Sequence, residues 1–377
     1  MKTLLTPELL NLRSLFQNQG FDLRFVGGCV RDTMLGLVPK DVDLHTNANP
    51  DEQVSIYQAA GVHYIETGLQ HGTVTVVLNG VAYEITSLRQ DAETDGRHAT
   101  VVYTRDWHTD LERRDFRFNA MSMGFDGDLM DPFGGLTSLQ NGLVEFVGDP
   151  RKRIQEDYLR ILRWFRFRGR FGLDMSYSAR RAVEDLAQGL LQVSRERVWN
   201  EVSRILAGEN APLIMAEMQM MGVNKWINLP GEGIELLEVS DVHNITRNPI
   251  TVMVAMYGMH AVEALRMWKA SCDEIQLATW LNMHHSSRLR LQDLLAVDRV
   301  CRDWVLELAV LRKEDAMFRT MLKTWTVPSF PVTGNDLLAQ GFVTGPAVGK
   351  RLQDLKTAWA GSDYHFTRDQ LLNLSND

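Results

Sequence analysis

The stretch LRFVGGCVRDTMLGLVPKDVDLHT, residues 23–46, holds the pattern from which the fold is predicted. Its first four residues, Leu23–Val26, form a short apolar run that predicts a β-strand, and the two glycines that follow end the strand and open a helical pattern. From Asp41 to His45, acidic and apolar residues alternate with the period of two that is typical of a strand. The stretch therefore predicts a strand, a helix and a second strand in close succession.

The alternation gives the second strand an acidic face. Side chains two residues apart along a strand point the same way, so Asp41 and Asp43 are expected on one face. Two carboxylates this close repel each other unless a cation lies between them, and carboxylate oxygens suit Mg²⁺. Glu84, the only acid among apolar neighbours in a later run, is a candidate third acid. Taken alone, the Asp pair is equally compatible with a solvated strand edge.

The rest of the chain divides into a part with strands and a part dominated by helices. The runs Thr73–Leu78 and Val81–Leu88 are separated only by Asn79-Gly80, which favours a type I′ turn and so predicts a hairpin. From Pro150 onward the apolar spacing is helical, and one predicted face contains Ile154, Tyr158, Ile161, Leu162 and Phe165. The predicted fold class is α+β, with a small sheet near the N-terminus and helices in the remainder.

Composition limits the class of protein. The chain has 377 residues, 45% of them hydrophobic and 23% charged, which is typical of a globular protein of more than one structural unit. The net charge of −8 would normally argue against a nucleic-acid partner. Residues 151–181, however, carry ten basic and three acidic side chains. Since a local field steers a polyanion, this segment is a candidate RNA-binding strip.

Cysteine usage and apolar runs exclude other classes. The three cysteines are far apart in the sequence, so we expect neither a disulfide framework nor a zinc site. The longest apolar stretch, Ile250–Leu265, is interrupted by His260 and Glu263, which argues against a membrane span. The first residues lack the apolar core of a secretory signal. We predict a cytoplasmic protein, with an organelle form left open.

The turn after the first strand has residue types that suit a phosphate. A strand, a double glycine and a helix start together offer free backbone N–H groups at Gly28, and Arg31 adds a bidentate donor. A tight turn with a surface arginine is the simpler explanation of this motif taken alone. A second motif places Arg113, Arg114 and Asp115 on one turn, with Asn119 beyond. These side chains can hold a triphosphate and a ribose hydroxyl, although a charged helix surface explains such a cluster more often.

A third motif suits base recognition. Asp157 and Arg160 are spaced i and i+3, so on a helix they are neighbours, and the ordinary explanation is an intrahelical ion pair. A carboxylate only accepts hydrogen bonds and a guanidinium only donates them. Cytosine and adenine each present an amino donor beside a ring-nitrogen acceptor, whereas guanine and uracil present the reverse order. A fixed Asp–Arg pair would therefore select C and A without a template.

Taken in order, these motifs resemble those of the class II tRNA nucleotidyltransferases, the CCA-adding enzymes of the polymerase-β-like nucleotidyltransferase superfamily. The matching segments are Gly27-Gly28 with Arg31-Asp32, Asp41-Val42-Asp43, Tyr83-Glu84-Ile85-Thr86, Arg113-Arg114-Asp115, and Glu156-Asp157 with Arg160. The resemblance covers nearly the whole chain. Asp95–His98 resembles the family's flexible loop, and residues 330–349 resemble the tail of alphaproteobacterial and mitochondrial-type members.

The resemblance implies an architecture and a set of site residues. The implied domains are a catalytic head at 1–135, a helical neck with the nucleotide-selecting motif at 136–210, a helical body at 211–327 and a tRNA-binding tail at 328–377. Catalytic metal binding is implied for Asp41 and Asp43, and Glu84 matches the third family carboxylate less firmly. Nucleotide binding is implied for Gly28, Arg31, Arg114, Asp115, Asn119, Asp157, Arg160, Arg163 and Arg166.

The implied activity is Mg²⁺-dependent, template-independent addition of C, C and A to the 3′ end of tRNA from CTP and ATP. The implied RNA contact is the 3′ end and acceptor arm of the tRNA. Enzymes that add only CC or only A, bacterial-type poly(A) polymerases, and a non-catalytic RNA-binding protein stay open as alternatives. The Asp95–His98 loop argues against a CC-only enzyme, because such members tend to lack it. The chain departs from the family at Arg117, where threonine is usual, and at Ser87-Leu88, where Thr-Phe is common.

Overall fold

The computed structural model of the protein describes residues 5–69, 72–91, 101–229, 242 and 244–374. Two compact units make up the chain. Unit 1 comprises Met1–Val193 with Met220–Ile227, and unit 2 comprises Ser194–Gln219 with Asn228–Asp377. The loop predicted at Asp95–His98 lies outside the described residues.

Unit 1 is built on a mixed sheet. The described strands are β1 Leu23–Val26, β2 Asp43–Thr46, β3 Tyr64–Gly68, β4 Thr73–Leu78, β5 Val81–Ser87, β6 Arg89–Asp91, β7 Val101–Tyr103, β8 Ser122–Met123, β9 Leu129–Met130, β10 Leu143–Val144 and β11 Asp174–Met175. Seven of them form one sheet in the order β3-β4-β5-β2-β1-β8-β9. All neighbours are antiparallel except β2 and β5, which run parallel at its centre. The α+β class predicted from the sequence is confirmed.

The two strands predicted around the opening motif and the hairpin are present. Asn79 and Gly80 both have positive φ, 48° and 80°, as a type I′ turn requires, so the predicted hairpin is confirmed. Strand β2 begins at Asp43, two residues later than the alternation predicted. Asp41 therefore lies just before the strand and not within it.

Helices surround this sheet. Those of unit 1 are α1 Pro7–Asn18, α2 Gly28–Met34, α3 Pro50–Ala60, α4 Trp107–Glu112, α5 Gly135–Gln140, α6 Pro150–Glu156, α7 Arg160–Phe171 and α8 Tyr177–Leu186. The prediction of one continuous helix through residues 154–165 is wrong. Asp157 has extended backbone dihedrals, φ −154° and ψ 104°, and its Oδ1 accepts the N–H of Leu159 at 3.1 Å. This local bond competes with helical hydrogen bonding and separates α6 from α7.

Aromatic packing attaches α7 to the segment that follows α4. Phe116 and Phe118 are fully buried, and Phe167 of α7 packs edge-on against both rings at centroid distances of 5.4 and 5.3 Å. Phe171, one helical turn further, stacks on Phe167 at 6.0 Å. Buried aromatic pairs of this geometry each stabilise the fold by about 0.5–1.5 kcal/mol beyond their buried area. The packing holds the polar face of α7 close to the Arg113–Asn119 segment.

Unit 2 is helical. Its described helices are α9 Arg195–Leu206, α10 Ala211–Met220, α11 Pro249–Tyr257, α12 Met259–Met267, α13 Cys272–His285, α14 Leu291–Ala296, α15 Arg302–Leu311, α16 Ala316–Thr324, α17 Gly334–Ala339, α18 Pro346–Gly361 and α19 Arg368–Leu372. The last residue of α10, Met220, belongs to unit 1. Its C-terminal part has a core of Val332, Leu337, Leu355, Trp359 and Leu371. Among the described residues, no helix is both long enough and apolar enough to cross a membrane. The finer division into neck, body and tail stays a prediction.

Candidate functional site

Two carboxylates lie side by side on the central strands of the sheet, and a third, that of Asp41, lies just before them. Asp43 begins β2 and is paired in register with Glu84 on the parallel strand β5, so both side chains point to the same face. Asp41, Asp43 and Glu84 are all exposed. None of their side chains has a hydrogen-bond or ion-pair partner among the described residues. The surrounding protein partly desolvates the carboxylate of Asp43, which, together with the charges of Glu84 and Asp41, raises its pKa, whereas the positive charge of Arg114 opposes the rise.

This cluster fits a hard cation that the substrate helps to bind. Within the described ranges, no three histidine, cysteine or acidic side chains converge closely enough to hold a metal by themselves. Mg²⁺ is commonly held by one or two protein carboxylates, with water and substrate phosphates completing its coordination. Exposed carboxylates with no ion-pair partner among the described residues match that kind of site.

Arg114 lies next to the carboxylates, above Gly27. Gly27 has a φ of 69°, and a Cβ added there would lie 2.6 Å from Nη1 of Arg114. Any side chain at this position would therefore displace the guanidinium. Nη1 donates to the carbonyl of Asn119 at 3.3 Å, while the buried Nε–H has no hydrogen-bond partner among the described residues. A buried donor without a partner costs about 1–3 kcal/mol, so Arg114 is a candidate to bind a ligand.

Two residues that the sequence prediction missed hold Arg114. Asp110 of α4 is fully buried, and its Oδ2 contacts Nδ1 of His45 at 3.0 Å and Nη2 of Arg114 at 3.5 Å. Its Oδ1 accepts a 2.9 Å bond from Arg113. Burial acts to raise the pKa of Asp110, but the histidine and the two arginines outweigh it and hold the pKa well below its usual range. Burial lowers the pKa of His45.

A sequence signal for Asp110 existed in its spacing. It lies three and four residues before Arg113 and Arg114, which places it on the same face of a helix. His45 continues the alternation of Asp41 and Asp43 on the strand, and this spacing was its only signal.

Arg31 is buried, contrary to the surface arginine of the simpler explanation. It is 4% exposed, and its guanidinium lies 4.9 Å from the ring centre of Phe171. Nε donates to Asp32 at 2.8 Å, and Nη1 donates to Oδ1 of Asn119 at 2.6 Å. The Cβ position of Gly28 lies 3.6 Å from Nη2, so Arg31 still borders the helix start where a phosphate was predicted.

Helix α7 contacts the polar side chains around Arg31 at two points. Asp115 is buried, and its carboxylate accepts from Asn119 at 3.0 Å and from Arg163 of α7 at 2.5 Å. Seven residues further along α7, Arg170 donates to Asp32 at 3.0 Å. Although burial acts to raise it, the pKa of Asp115 is lowered, chiefly by Arg163. Arg170 had not been predicted as part of the site.

The segment proposed to read the base docks on the Arg113–Arg114 backbone. Arg160 donates to the carbonyl of Arg153 at 2.7 Å and to Glu156 at 2.5 Å, and it approaches the carbonyl of Arg113 at 3.4 Å. Arg153 donates to the carbonyl of Arg114 at 2.6 Å. The structure therefore brings Arg160 to the arginine pair.

Asp157, Arg166 and Arg117 have different surroundings. Asp157 is half-buried in the connection between α6 and α7, next to Tyr158. Arg166 lies over the ring of Phe167, 4.4 Å from its centre. Arg117, where the family usually has threonine, forms an ion pair with Glu145 at 3.3 Å on the side chain's exposed edge.

Comparisons with known proteins match two parts of the chain to family models. Residues 23–145 match the family model described as the Poly A polymerase head domain, and residues 172–228 match a probable RNA and SrmB-binding site of polymerase A. With the fold, the head-domain match indicates the class of protein, a nucleotidyltransferase of the polymerase type.

Full-length relatives give the particular family. The chain is 37% identical to the mitochondrial CCA tRNA nucleotidyltransferase 1 of Danio rerio and 36% identical to that of Mus musculus. These alignments cover 99% of this chain and 91% and 90% of the two relatives. The Bacillus stearothermophilus CCA-adding enzyme in complex with CTP is 25% identical, with a TM-score of 0.79 over 95% of this chain and 94% of that one. The chain belongs to the CCA tRNA nucleotidyltransferase family.

Proposed function

We propose that this chain adds C, C and A to the 3′ end of tRNA from CTP and ATP, without a template, and releases pyrophosphate. The observation that carries the proposal is its similarity, over 99% of its length, to CCA tRNA nucleotidyltransferases, together with a site that contains the predicted groups. Asp43 and Glu84 are adjacent in register, and Arg114 and Arg160 belong to one connected polar region.

In the proposed reaction, Asp41 and Asp43 would hold Mg²⁺, with Glu84 beside them. The cation would supply Lewis-acid stabilisation of phosphate charge and would lower the pKa of the attacking hydroxyl. Arg114, whose buried Nε–H finds no partner in the described part of the chain, binds the triphosphate or ribose of the incoming nucleotide. The protein contributes mainly orientation and fixed positive charge, as is usual in phosphoryl-type transfer.

Base choice is assigned to Asp157 and Arg160. They do not share one helix as predicted, because α7 begins at Arg160 and Asp157 precedes it in extended conformation. Arg160 is held by Glu156 and by a backbone carbonyl, which restricts its side chain to one orientation. In the proposed mode of recognition, Arg160 donates to the ring nitrogen and Asp157 accepts from the amino group of cytosine or adenine.

The decisive experiment uses a tRNA that lacks its 3′ CCA. The purified protein is incubated with Mg²⁺ and this tRNA, with CTP alone, ATP alone or both, and the products are sequenced at the 3′ end. We expect two added C residues with CTP alone and complete CCA ends only with both nucleotides. Long A tails from ATP alone would identify a poly(A) polymerase, and products ending at CC with both nucleotides would identify a CC-adding enzyme.

The non-catalytic alternative is tested in the same reactions. Pyrophosphate release that depends on both Mg²⁺ and tRNA supports an enzyme. RNA binding without pyrophosphate release, under conditions in which a known CCA-adding enzyme is active, would reject the proposed function.

The cellular compartment is a separate proposal. The relatives from Danio rerio and Mus musculus carry the word mitochondrial in their names, whereas the sequence of this chain predicts the cytoplasm. We keep the cytoplasmic location as the proposal. Fractionation of source cells, followed by detection of the protein, tests it.

A further inference from the structure

One buried cluster beside the carboxylates has no assigned role. His45 lies on β2, two residues after Asp43, and its side chain is 9% exposed. Its Nδ1 is 3.0 Å from the fully buried carboxylate of Asp110, and its Nε2 is 3.3 Å from Nη2 of Arg114. The three groups contact one another, because Oδ2 of Asp110 is also 3.5 Å from Nη2 of Arg114.

Donor and acceptor chemistry defines the state of the imidazole. A carboxylate only accepts and a guanidinium only donates. Nδ1 of His45 must therefore carry the hydrogen that Asp110 accepts, and Nε2 must be the acceptor for Arg114. Asp110 selects this tautomer by the bond it makes to the other ring nitrogen. The imidazole is thus a neutral acceptor aimed at Arg114.

The bond matters because Arg114 has few other restraints. On its other side, Nη1 contacts the carbonyl of Asn119 at 3.3 Å and lies against Gly27, where a Cβ would be 2.6 Å away. Its direct contact with Asp110 is long, at 3.5 Å. Without His45, the guanidinium would keep its charge but lose the acceptor that sets its plane.

We propose that His45 is a positioning residue for nucleotide binding, which holds the guanidinium of Arg114 in the orientation that meets the incoming CTP or ATP. The inference rests on the proposed function, since it takes Arg114 to bind the nucleotide. It adds a role for two residues outside the predicted site, His45 and Asp110.

Two amide variants test the position of the acceptor. The side-chain amide of His45→Gln reaches approximately as far as Nε2, whereas that of His45→Asn ends near Nδ1. Both are uncharged and polar, so they are matched in burial cost. We expect His45→Asn and His45→Ala to raise the KM for CTP and ATP by about tenfold, with a smaller change in kcat, as expected for loss of a hydrogen bond to a charged group. His45→Gln should stay within about threefold of the wild type.

A double-mutant cycle shows whether His45 acts through Arg114. Nucleotide affinity is measured by calorimetry with CTP and Mg²⁺ for His45→Ala, Arg114→Ala and the double variant. Because the loss of Arg114 removes the group that His45 orients, the double variant should bind CTP as weakly as Arg114→Ala alone. Thermal unfolding of each variant sets the assay temperature below the lowest midpoint, and the exposed His63→Ala is the control.

Two outcomes would overturn the proposal. One is independent losses in the cycle, in which the fold-changes of the two single variants multiply. The other is equal KM values for His45→Gln and His45→Asn. Calorimetry measures binding without turnover, so a wild-type protein that binds CTP but makes no CCA ends would refute the proposed function and leave this test intact.

Discussion

Arg113 and Arg114 are adjacent in sequence and have the same side chain, but their surroundings differ. Arg113 donates to Oδ1 of Asp110 from both Nε and Nη2, at 3.1 and 2.9 Å. Arg114 instead lies between His45 and Gly27, and its charge acts on Asp43. Arg113 therefore stabilises the local structure, whereas Arg114 faces the site.

Substitution of a carboxylate in the acidic cluster should lower kcat far more than substitution of another exposed acid. Asp41→Ala and Asp43→Asn should each lower kcat for all three additions by at least about a thousandfold, because metal-assisted charge stabilisation is worth several kcal/mol. Steady-state assays with truncated tRNA measure this loss. Asp22→Ala, an exposed acid at the start of the same sheet, should have near-normal kcat. Near-normal turnover in Asp41→Ala would contradict the metal assignment.

Asp157 should affect base choice more than catalysis. Asp157→Ala should reduce the preference for CTP over UTP, expressed as the ratio of kcat/KM values, by about a hundredfold, because the site loses the acceptor for the amino group. Asp157→Asn keeps an oxygen for the N–H of Leu159 but adds a donor, so it separates base choice from local folding. Both variants should keep the Mg²⁺ dependence of the wild type. An unchanged nucleotide preference in both would remove Asp157 from base recognition.

At the scale of elements, the connection between α6 and α7 depends on a close approach to a later segment. A Cβ added to Gly189, in the 3₁₀ segment Ala187–Gln192, would lie 2.0 Å from the ring of Tyr158. The ring therefore packs directly on the backbone at Gly189. This packing helps to hold the Asp157–Arg160 connection in place.

Gly189→Ala should lower the free energy of unfolding by about 1–3 kcal/mol, because the new methyl group forces the tyrosine ring to move. Denaturant unfolding measures the loss. In a Tyr158→Leu background, the same substitution should cost clearly less, since the ring is absent. Gly349→Ala is the matched control: no atom of the described residues lies within 4 Å of the added Cβ, and alanine in a helix should stabilise by up to about 1 kcal/mol. Equal effects of Gly189→Ala in both backgrounds would show that the packing of the ring is unimportant.

At the scale of the whole molecule, the basic strip is less charged than its sequence suggests. Residues 151–181 have an excess of seven positive charges. Ion pairs bring four acids from outside the segment to its arginines, namely Asp32, Asp115, Glu184 and Asp185, and Asp32 is shared with Arg31. The side chains of Arg180 and Arg181 remain half-exposed, at 51% and 56%. RNA phosphates therefore meet a smaller set of cations than a count along the chain predicts.

Affinity for tRNA should still fall steeply with salt, because phosphate binding releases counterions. Filter binding between about 50 and 200 mM salt gives the slope of log affinity against log salt. Arg180→Ala with Arg181→Ala should make that slope shallower by about one for each RNA phosphate that the variant no longer neutralises. Arg105→Ala, an exposed arginine paired with Glu52 in the same unit, should leave the slope unchanged. An affinity independent of salt would refute the electrostatic role of the strip.

The features that the sequence determined by itself are local ones. The hairpin follows from the backbone preferences of Asn79 and Gly80, and the turn after β1 follows from two adjacent glycines. The chemical types at the site, from Asp43 to Arg160, could likewise be read in order, and they were sufficient to indicate the family. Such features depend on residues that are close together in the chain, where few conformations compete.

Tertiary structure decided which of these groups meet. The register of β2 with β5 places Glu84 beside Asp43, although they are far apart along the chain. The packing of α7 takes Arg163 to Asp115, and the buried pair of His45 and Asp110 holds Arg114. These interactions depend on how the strands and helices pack in three dimensions. Periodicity and spacing contain no information about the partner of a side chain that lies far away in the sequence.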